Sequence, residues 1–266
     1  MVGVNHCSYL VVTRRNFIRS GLIWVPSVAH GQLATLQCRR KAFIVTGPPV
    51  TAGMVARWEA DGITGLNDGD SVATWPDQSG SARDATQLTT LLQPIFHTNI
   101  FGTAPAVQFT AHKLLFTAVP LTNFTVFAVC IPFSDASYST AMLTWSLLTG
   151  GDFSGFMLNG QFFHITTLNA ANAETHNFKM NNGLVNGTKH IAVWTYDGTT
   201  VVARDNGASQ TTTSVDGGYG NVGGVIGFCF ASFVGKLGAI LVYNSVLSAG
   251  NISLMETYLN TKYPCF

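Results

Sequence analysis

Charge is scarce in this chain of 266 residues: 10% of it is Asp, Glu, Lys or Arg, against a usual ~25%. No acid precedes Glu59, so all 13 acids lie in the later part, against seven of the 14 Lys and Arg. That body is mildly acidic and its Lys residues are scattered, which excludes a nucleic-acid groove built on clustered positive charge. Glu is the scarcest of the charged types, present only as Glu59, Glu174 and Glu256. Glycoside hydrolysis needs paired carboxylates, and on a strand positions i and i+2 share a face. Glu59-Ala60-Asp61 is the single Glu-x-Asp. Gly-x-Ser-x-Gly, His-Glu-x-x-His and phosphate-loop motifs are absent, and with them the chemistry those motifs carry. The expectation is a chain that is not an enzyme, a divergent glycosidase using Glu59 and Asp61 being the lesser alternative.

Cysteine is also sparse and odd in number. Cys7, Cys38, Cys130, Cys229 and Cys265 fit no zinc spacing. Cys130 and Cys229 sit in apolar runs and read as buried free thiols, with a Cys130–Cys229 bridge open only if their strands are neighbours. His97, His112, His164, His176 and His190 show no i, i+2 or i+4 pairing among themselves, so none reads as a metal ligand. Long apolar runs are missing too. Residues 22–29 form a short one, below the ~20 residues a membrane span needs.

Those residues follow Arg14-Arg15-Asn16-Phe17-Ile18 and precede Ser27 and Ala29. Basic, then apolar, then small is the order of an export signal, here resembling the twin-arginine type. The competing reading is a retained basic arm that docks on a neighbouring subunit. Either way residues 1–53 form an N-terminal extension, with Arg39-Arg40-Lys41 and Gly47-Pro48-Pro49 as linker, and residues 54–266 form one domain.

The domain is rich in what the chain does have: 27 Gly, 18 Phe and many short apolar runs between turn residues. Strands are expected at 55–59, 72–75, 106–109, 124–132, 141–148, 155–158, 162–166, 176–179, 189–196, 199–204, 224–229 and 231–243. Asp197-Gly198 predicts a two-residue hairpin turn, and Asn159-Gly160 a second. Ser248 caps a predicted helix to about Thr261, with Ile252, Met255, Tyr258 and Leu259 as its apolar stripe. Trp75-Pro76-Asp77-Gln78-Ser79-Gly80 is a turn anchored by Trp75, in which Pro76 fixes φ and Asp77 and Ser79 accept from nearby N–H groups.

These pieces occur in a fixed order. Trp58-Glu59-Ala60-Asp61 comes first, then Val72-Ala73-Thr74-Trp75-Pro76-Asp77-Gln78-Ser79-Gly80 and Asp84-Ala85-Thr86-Gln87. Gln93-Pro94, Gly102-Thr103-Ala104-Pro105-Ala106-Val107-Gln108-Phe109 and Phe124-Thr125-Val126-Phe127-Ala128-Val129 follow. Phe233-Val234-Gly235-Lys236-Leu237, Ile240-Leu241-Val242-Tyr243-Asn244, Leu247-Ser248 and Tyr258-Leu259 with Lys262-Tyr263 close it. Over residues 54–266 this resembles the laminin-G-like, concanavalin A-like jelly-roll modules of bacterial surface proteins and phage structural proteins. The resemblance implies an all-β antiparallel jelly-roll sandwich with a short C-terminal helix, usual roles in carbohydrate or cell-surface binding, and calcium in some members. Where that family usually carries an acid before the Tyr-Asn ending, this chain has Gly238-Ala239.

The function expected is a non-catalytic module that binds glycans or cell-surface polysaccharide, extracellular or on a virion. The alternative is a structural assembly subunit partnered by other subunits. Neither nucleic acid nor a membrane span enters. Sugar faces need aromatic rings beside polar groups, and Gly where backbone approaches a ligand. The candidate loops are 134–140 with Tyr138, 150–156 with Asp152 and Phe153, and 214–221 with Asp216, Tyr219 and Asn221. No cofactor is expected. Calcium, which takes clustered hard oxygens, has weak candidates in Asp61, Asp77 and Asp84, and Asp77 reads first as a turn-former.

Overall fold

The computed structural model describes residues 47–117, 119, 121–133, 140–147, 153–159, 162–168, 174–179, 186–213, 224–228 and 231–266. Its strands are β1 (Met54–Glu59), β2 (Thr74–Trp75), β3 (Ala85–Thr86), β4 (Ile95–Phe101), β5 (Ala104–Phe109), β6 (Leu114–Phe116), β7 (Phe124–Pro132), β8 (Thr140–Leu147) and β9 (Phe153–Asn159). They continue as β10 (Phe162–Leu168), β11 (Glu174–Lys179), β12 (His190–Tyr196), β13 (Thr200–Asp205), β14 (Ala208–Thr213), β15 (Gly224–Ile226), β16 (Ala231–Ser232) and β17 (Gly235–Tyr243), followed by helix α1 (Ala249–Lys262). One sheet has the order β14-β13-β12-β7-β17-β5-β4, with β1 also paired to β17. The other has the order β11-β10-β9-β8-β15-β6-β3-β2, with β16 on β8. Pairing is antiparallel except for β16 on β8.

The expected all-β antiparallel sandwich with a C-terminal helix is what the chain forms. The sequence of β7, Phe-Thr-Val-Phe-Ala-Val-Cys-Ile-Pro, has no polar alternation, and all nine of its residues are buried. The reason is a third layer. Phe124, Val126, Ala128 and Cys130 join the core that includes Trp58, Trp75, Trp194 and Phe116 of both sheets. Phe127, Val129 and Ile131 face the other way, into a cluster with Ile252, Met255, Tyr258 and Leu259 of α1. A strand covered on both faces reads as a continuous apolar run. The Ser248 hydroxyl accepts from Asn251 N and starts the helix where expected.

Several expectations are corrected in detail. Residues 231–243 are two strands, because Ala231–Ser232 pairs with β8 while the chain from Gly235 onward pairs with β7 in the other sheet. Turn geometry shifts by one residue at Asp197. Its backbone N–H bonds to Thr200 O, and its carboxylate accepts from the N–H groups of Thr199 and Thr200. Gly198 and Thr199 therefore form the tip, with Gly198 at φ +102°. The Asn206-Gly207 turn, not among the turns expected above, joins β13 and β14 with φ of +46° and +85°, as an Asn-Gly hairpin requires. Gly238 also gains a reason. A Cβ there would lie 2.9 Å from the Phe101 ring and 3.1 Å from that of Tyr263, which meet edge-on at 5.6 Å. Packing under α1 holds this position at glycine.

Antiparallel pairing gives the sandwich two ends. At one, β7 finishes at Pro132, β12 begins at His190, β13 finishes at Asp205 and β17 begins at Gly235. At the other, β7 begins at Phe124, β13 begins at Thr200 and β17 finishes at Tyr243.

Candidate functional site

The carboxylates expected to carry catalysis or calcium face protein donors. Fully buried Glu59 accepts through Oε2 from Arg57 Nε at 2.8 Å and Lys262 Nζ at 3.0 Å, and through Oε1 from the Tyr258 hydroxyl at 2.9 Å. Arg57 Nη2 adds a further contact. Asp61 pairs with the same Lys262 at 2.8 Å. Burial, then the charge of Glu59, pushes the Tyr258 and Tyr263 hydroxyls well above the ordinary tyrosine range. The network joins β1 to α1, and it occupies both members of the Glu-x-Asp pair.

Asp77 is equally engaged. Its Oδ1 accepts from Arg57 N and Ser79 N, both at 2.9 Å, and its Oδ2 from Ser79 Oγ at 2.9 Å and Arg83 N at 3.0 Å. Asp84 Oδ1 accepts from Asp77 N at 2.8 Å. Asp77 thus ties the Trp75–Gly80 turn to β1. Among the described residues, no group of three or more His, Cys, Asp or Glu is placed to hold a metal ion.

Of the loop candidates, Tyr138, Asp152, Asp216, Tyr219 and Asn221 lie outside the described residues. Phe153 opens β9, with its side chain outside them. The flanking strands separate these candidates into two sets. Tyr138 lies between β7 and β8, whose facing ends belong to the Pro132 end. Asp152 lies between β8 and β9, and Asp216, Tyr219 and Asn221 between β14 and β15, whose facing ends belong to the Phe124 end. Cys130 is a buried free thiol, its pKa pushed well up by burial. Cys229 and the 1–46 segment lie outside the described residues.

The Pro132 end gathers groups that sequence spacing leaves unmarked. Phe133, the residue after β7, is 41% exposed, with Lys236 Nζ 5.6 Å from its ring centroid. Phe133 N donates to Val234 O, and Gly187 N donates to Pro132 O at 2.7 Å. The 186–189 turn is thereby held beside Phe133. Gly187 has φ +77° and open space where a Cβ would stand. Next to it, exposed Thr188 places Oγ1 2.8 Å from Nε2 of buried His190. His190 Nδ1 lies 3.0 and 3.1 Å from the two oxygens of Asp205. Thr-x-His on one strand edge, followed by Asp before an Asn-Gly turn, is the signal that could have marked this set. The arrangement combines an exposed ring, a cation, a hydroxyl and accessible backbone. By contrast, a groove of about 310 Å³ lined by Ile63, Thr64, Ser71 and Thr74 has no aromatic ring or charge in its wall.

Fold and geometry together define a two-sheet β-sandwich of the jelly-roll kind, whose Pro132 end is polar and aromatic-bearing among the described residues. No protein-family model matches the chain, and no curated protein matches it in sequence. Solved structures do resemble it. Domain 4 of AbnA, a GH43 extracellular arabinanase from Geobacillus stearothermophilus, in complex with arabinotriose, superposes with a TM-score of 0.57 at 13% identity, covering 76% of this chain and 98% of that one. The botulinum neurotoxin serotype D ligand-binding domain in complex with N-acetylneuraminic acid gives 0.55 at 9% identity, over 79% of this chain and 52% of that one. The Trypanosoma rangeli sialidase in complex with sialic acid gives 0.54 at 12% identity, over 79% and 34% respectively. The chain thus spans about half of the toxin domain and a third of the sialidase. At these identities the likeness establishes the fold.

Proposed function

We propose that this chain is a non-catalytic glycan-binding module that works outside the cell or on a virion surface. The observation that carries the reading is the likeness to nearly the whole of an arabinanase domain named in complex with arabinotriose. The Pro132 end supports it: Phe133 offers apolar ring surface, Lys236 a cation, Thr188 a hydroxyl, and Gly187 room for close approach. Sugar sites combine these elements, because a pyranose or furanose has apolar C–H faces and a polar rim. The engagement of Glu59 and Asp61 by Lys262 supports the non-catalytic part. Titration calorimetry against arabinan and a panel of acidic and neutral polysaccharides tests the reading. Binding that weakens at least tenfold in Phe133→Ala supports it. Failure of every polysaccharide, with and without calcium, refutes it.

A second reading, an assembly subunit, is favoured by one specific observation. Leu88 and Leu91 are 95% and 88% exposed on the turn before β4, and an exposed apolar patch, unlike a single exposed leucine, marks a protein contact. Sedimentation of the wild type and a Leu88→Asp/Leu91→Asp variant distinguishes the two readings. A larger species lost in the variant supports assembly, and monomers in both cases refute assembly through this turn.

A further inference from the structure

Positive charge is unevenly placed in the fold. Four lysines have described side chains: Lys113, Lys189, Lys236 and Lys262. Lys262 is paired with Glu59 and Asp61, as Arg57 is with Glu59 and Arg204 with Glu256. The other three lysines form no salt bridge among the described residues. Each lies instead over an aromatic ring: Lys113 is 5.3 Å from the Phe228 centroid, Lys189 5.8 Å from that of Phe101 and Lys236 5.6 Å from that of Phe133. All three belong to the Pro132 end. Lys236 lies opposite Ile131 of β7, and Lys189 directly precedes His190, which lies opposite Cys130 of the same strand. The two lysines therefore flank β7, two strand spacings or about 10 Å apart at the backbone. Residues 110–113 connect the end of β5, where Phe109 lies opposite Gly235, to β6. That link brings Lys113 to the same end from the other sheet. Described acids toward this end have protein partners. Asp205 faces His190 Nδ1 at 3.0 and 3.1 Å, while Asp68 and Asp70, beside β4, accept from Thr98 N and Asn67 N.

We propose that the Pro132 end selects acidic saccharides. The sugar carboxylate meets the Lys236 ammonium while a C–H face of the same sugar lies on Phe133, which is 41% exposed. Lys189 and Lys113 add to the field that draws the anion in. An ammonium offers three donors and no acceptor, so it matches a carboxylate better than a neutral hydroxyl. No ion pair within the protein has to break for the contact to form, because the three cations have no carboxylate partner among the described residues. The chain from Glu59 onward holds 13 acids against seven Lys and Arg, and a local concentration of the opposite sign steers an anionic ligand to one end of such a body. Three lysines are fewer than the roughly 6–10 phosphate contacts of a strong nucleic-acid binder, whereas an exposed ring beside a cation suits a sugar with an apolar face and a charged substituent. The inference rests on the glycan reading above and names its ligand class.

Titration calorimetry of the full chain with polygalacturonate, arabinan and a DNA oligonucleotide tests the proposal. Polygalacturonate is expected to bind at least about tenfold more tightly than arabinan at low salt. Raising salt from about 0.1 to about 1 M shortens the screening length from ~10 to ~3 Å, and is expected to weaken polygalacturonate about tenfold while leaving arabinan unchanged. Exposed ion pairs are individually weak, so Lys236→Gln is expected to cost about threefold for polygalacturonate and Lys189→Gln/Lys236→Gln about tenfold. Lys236→Arg, which keeps the charge, retains both the affinity and the salt dependence. Circular dichroism confirms that each variant is folded. Equal affinity for the two polymers, or equal losses for both in Lys236→Gln, overturns this inference and leaves the glycan reading standing. An oligonucleotide bound as tightly as polygalacturonate also overturns it, since the end would then hold any polyanion. A salt-sensitive dimer that is lost in Lys189→Gln/Lys236→Gln, without preference for polygalacturonate, assigns the lysines to a second copy of the chain and overturns it as well. Absence of binding by both polysaccharides at every salt concentration overturns the glycan reading and this ligand class with it.

Discussion

Asp77 illustrates how one side chain can fix a corner of the fold. Four donors from β1 and from its own turn converge on its two oxygens. Asp77→Ala leaves three of those donors, all backbone N–H groups, without their partner. Each orphaned group costs about 1–3 kcal/mol when water cannot replace the bond, so a loss of about 3 kcal/mol is expected in urea denaturation, with m unchanged. Cys265 supplies a pH test at the same scale. Burial raises its thiol from 9.0 to about 12, which disfavours the thiolate in the folded chain. Its contribution to stability is therefore complete below pH 9 and is lost as the pH climbs through about 12. Iodoacetamide labelling of Cys265 should stay slow at pH 9 and accelerate toward pH 12. Fast labelling at pH 8.5 in the folded protein would contradict the assigned burial.

Helix α1 is held to the sandwich by two kinds of force. Its apolar stripe covers Phe127, Val129 and Ile191, while Glu59 and Arg204 clamp its polar flank. Arg204 forms a two-pronged pair with Glu256 at 2.8 and 2.9 Å, a geometry suited to guanidinium and carboxylate. Replacing Glu59 leaves Arg57 without its carboxylate, while Lys262 keeps Asp61. Glu59→Ala is expected to cost about 3–5 kcal/mol, as does removal of one partner from other buried pairs, and thermal melting reads the loss. Reading elements from sequence works where one principle dominates. The Phe124–Pro132 run and the Ser248 cap are visible because burial and capping leave direct residue patterns. Strands Ile95–Phe101 and Ala208–Thr213 are not, since His97, Thr98 and Asn99 or a run of threonines break any apolar alternation. Their pairing comes from neighbouring strands. The split of 231–243 also leaves no mark, because Phe233 is as apolar as a strand residue while the chain passes from one sheet to the other.

At the scale of the whole molecule, the fold was legible and the site was not. Recurring strand and turn signals specify a sandwich, but its ends are assembled from residues far apart in the chain. Phe133, Thr188, Asp205 and Lys236 come together only through the β7, β12, β13 and β17 pairings. Composition points to the loops around Tyr138 and Tyr219, but the strands flanking them meet those loops at opposite ends of the sandwich. The exposed leucines carry a contrasting expectation. Leu88→Asp/Leu91→Asp should change unfolding free energy by less than about 0.5 kcal/mol, since surface positions contribute little to stability. The account stands most directly on glycan recognition at the Pro132 end. Calorimetric titration of the wild type and Phe133→Ala with arabinan and polygalacturonate is the measurement that tests it. Saturable binding to at least one polymer, weakened at least tenfold in a folded Phe133→Ala variant, is the predicted result. Binding that is equally strong in the variant, or absent from the wild type, would contradict it.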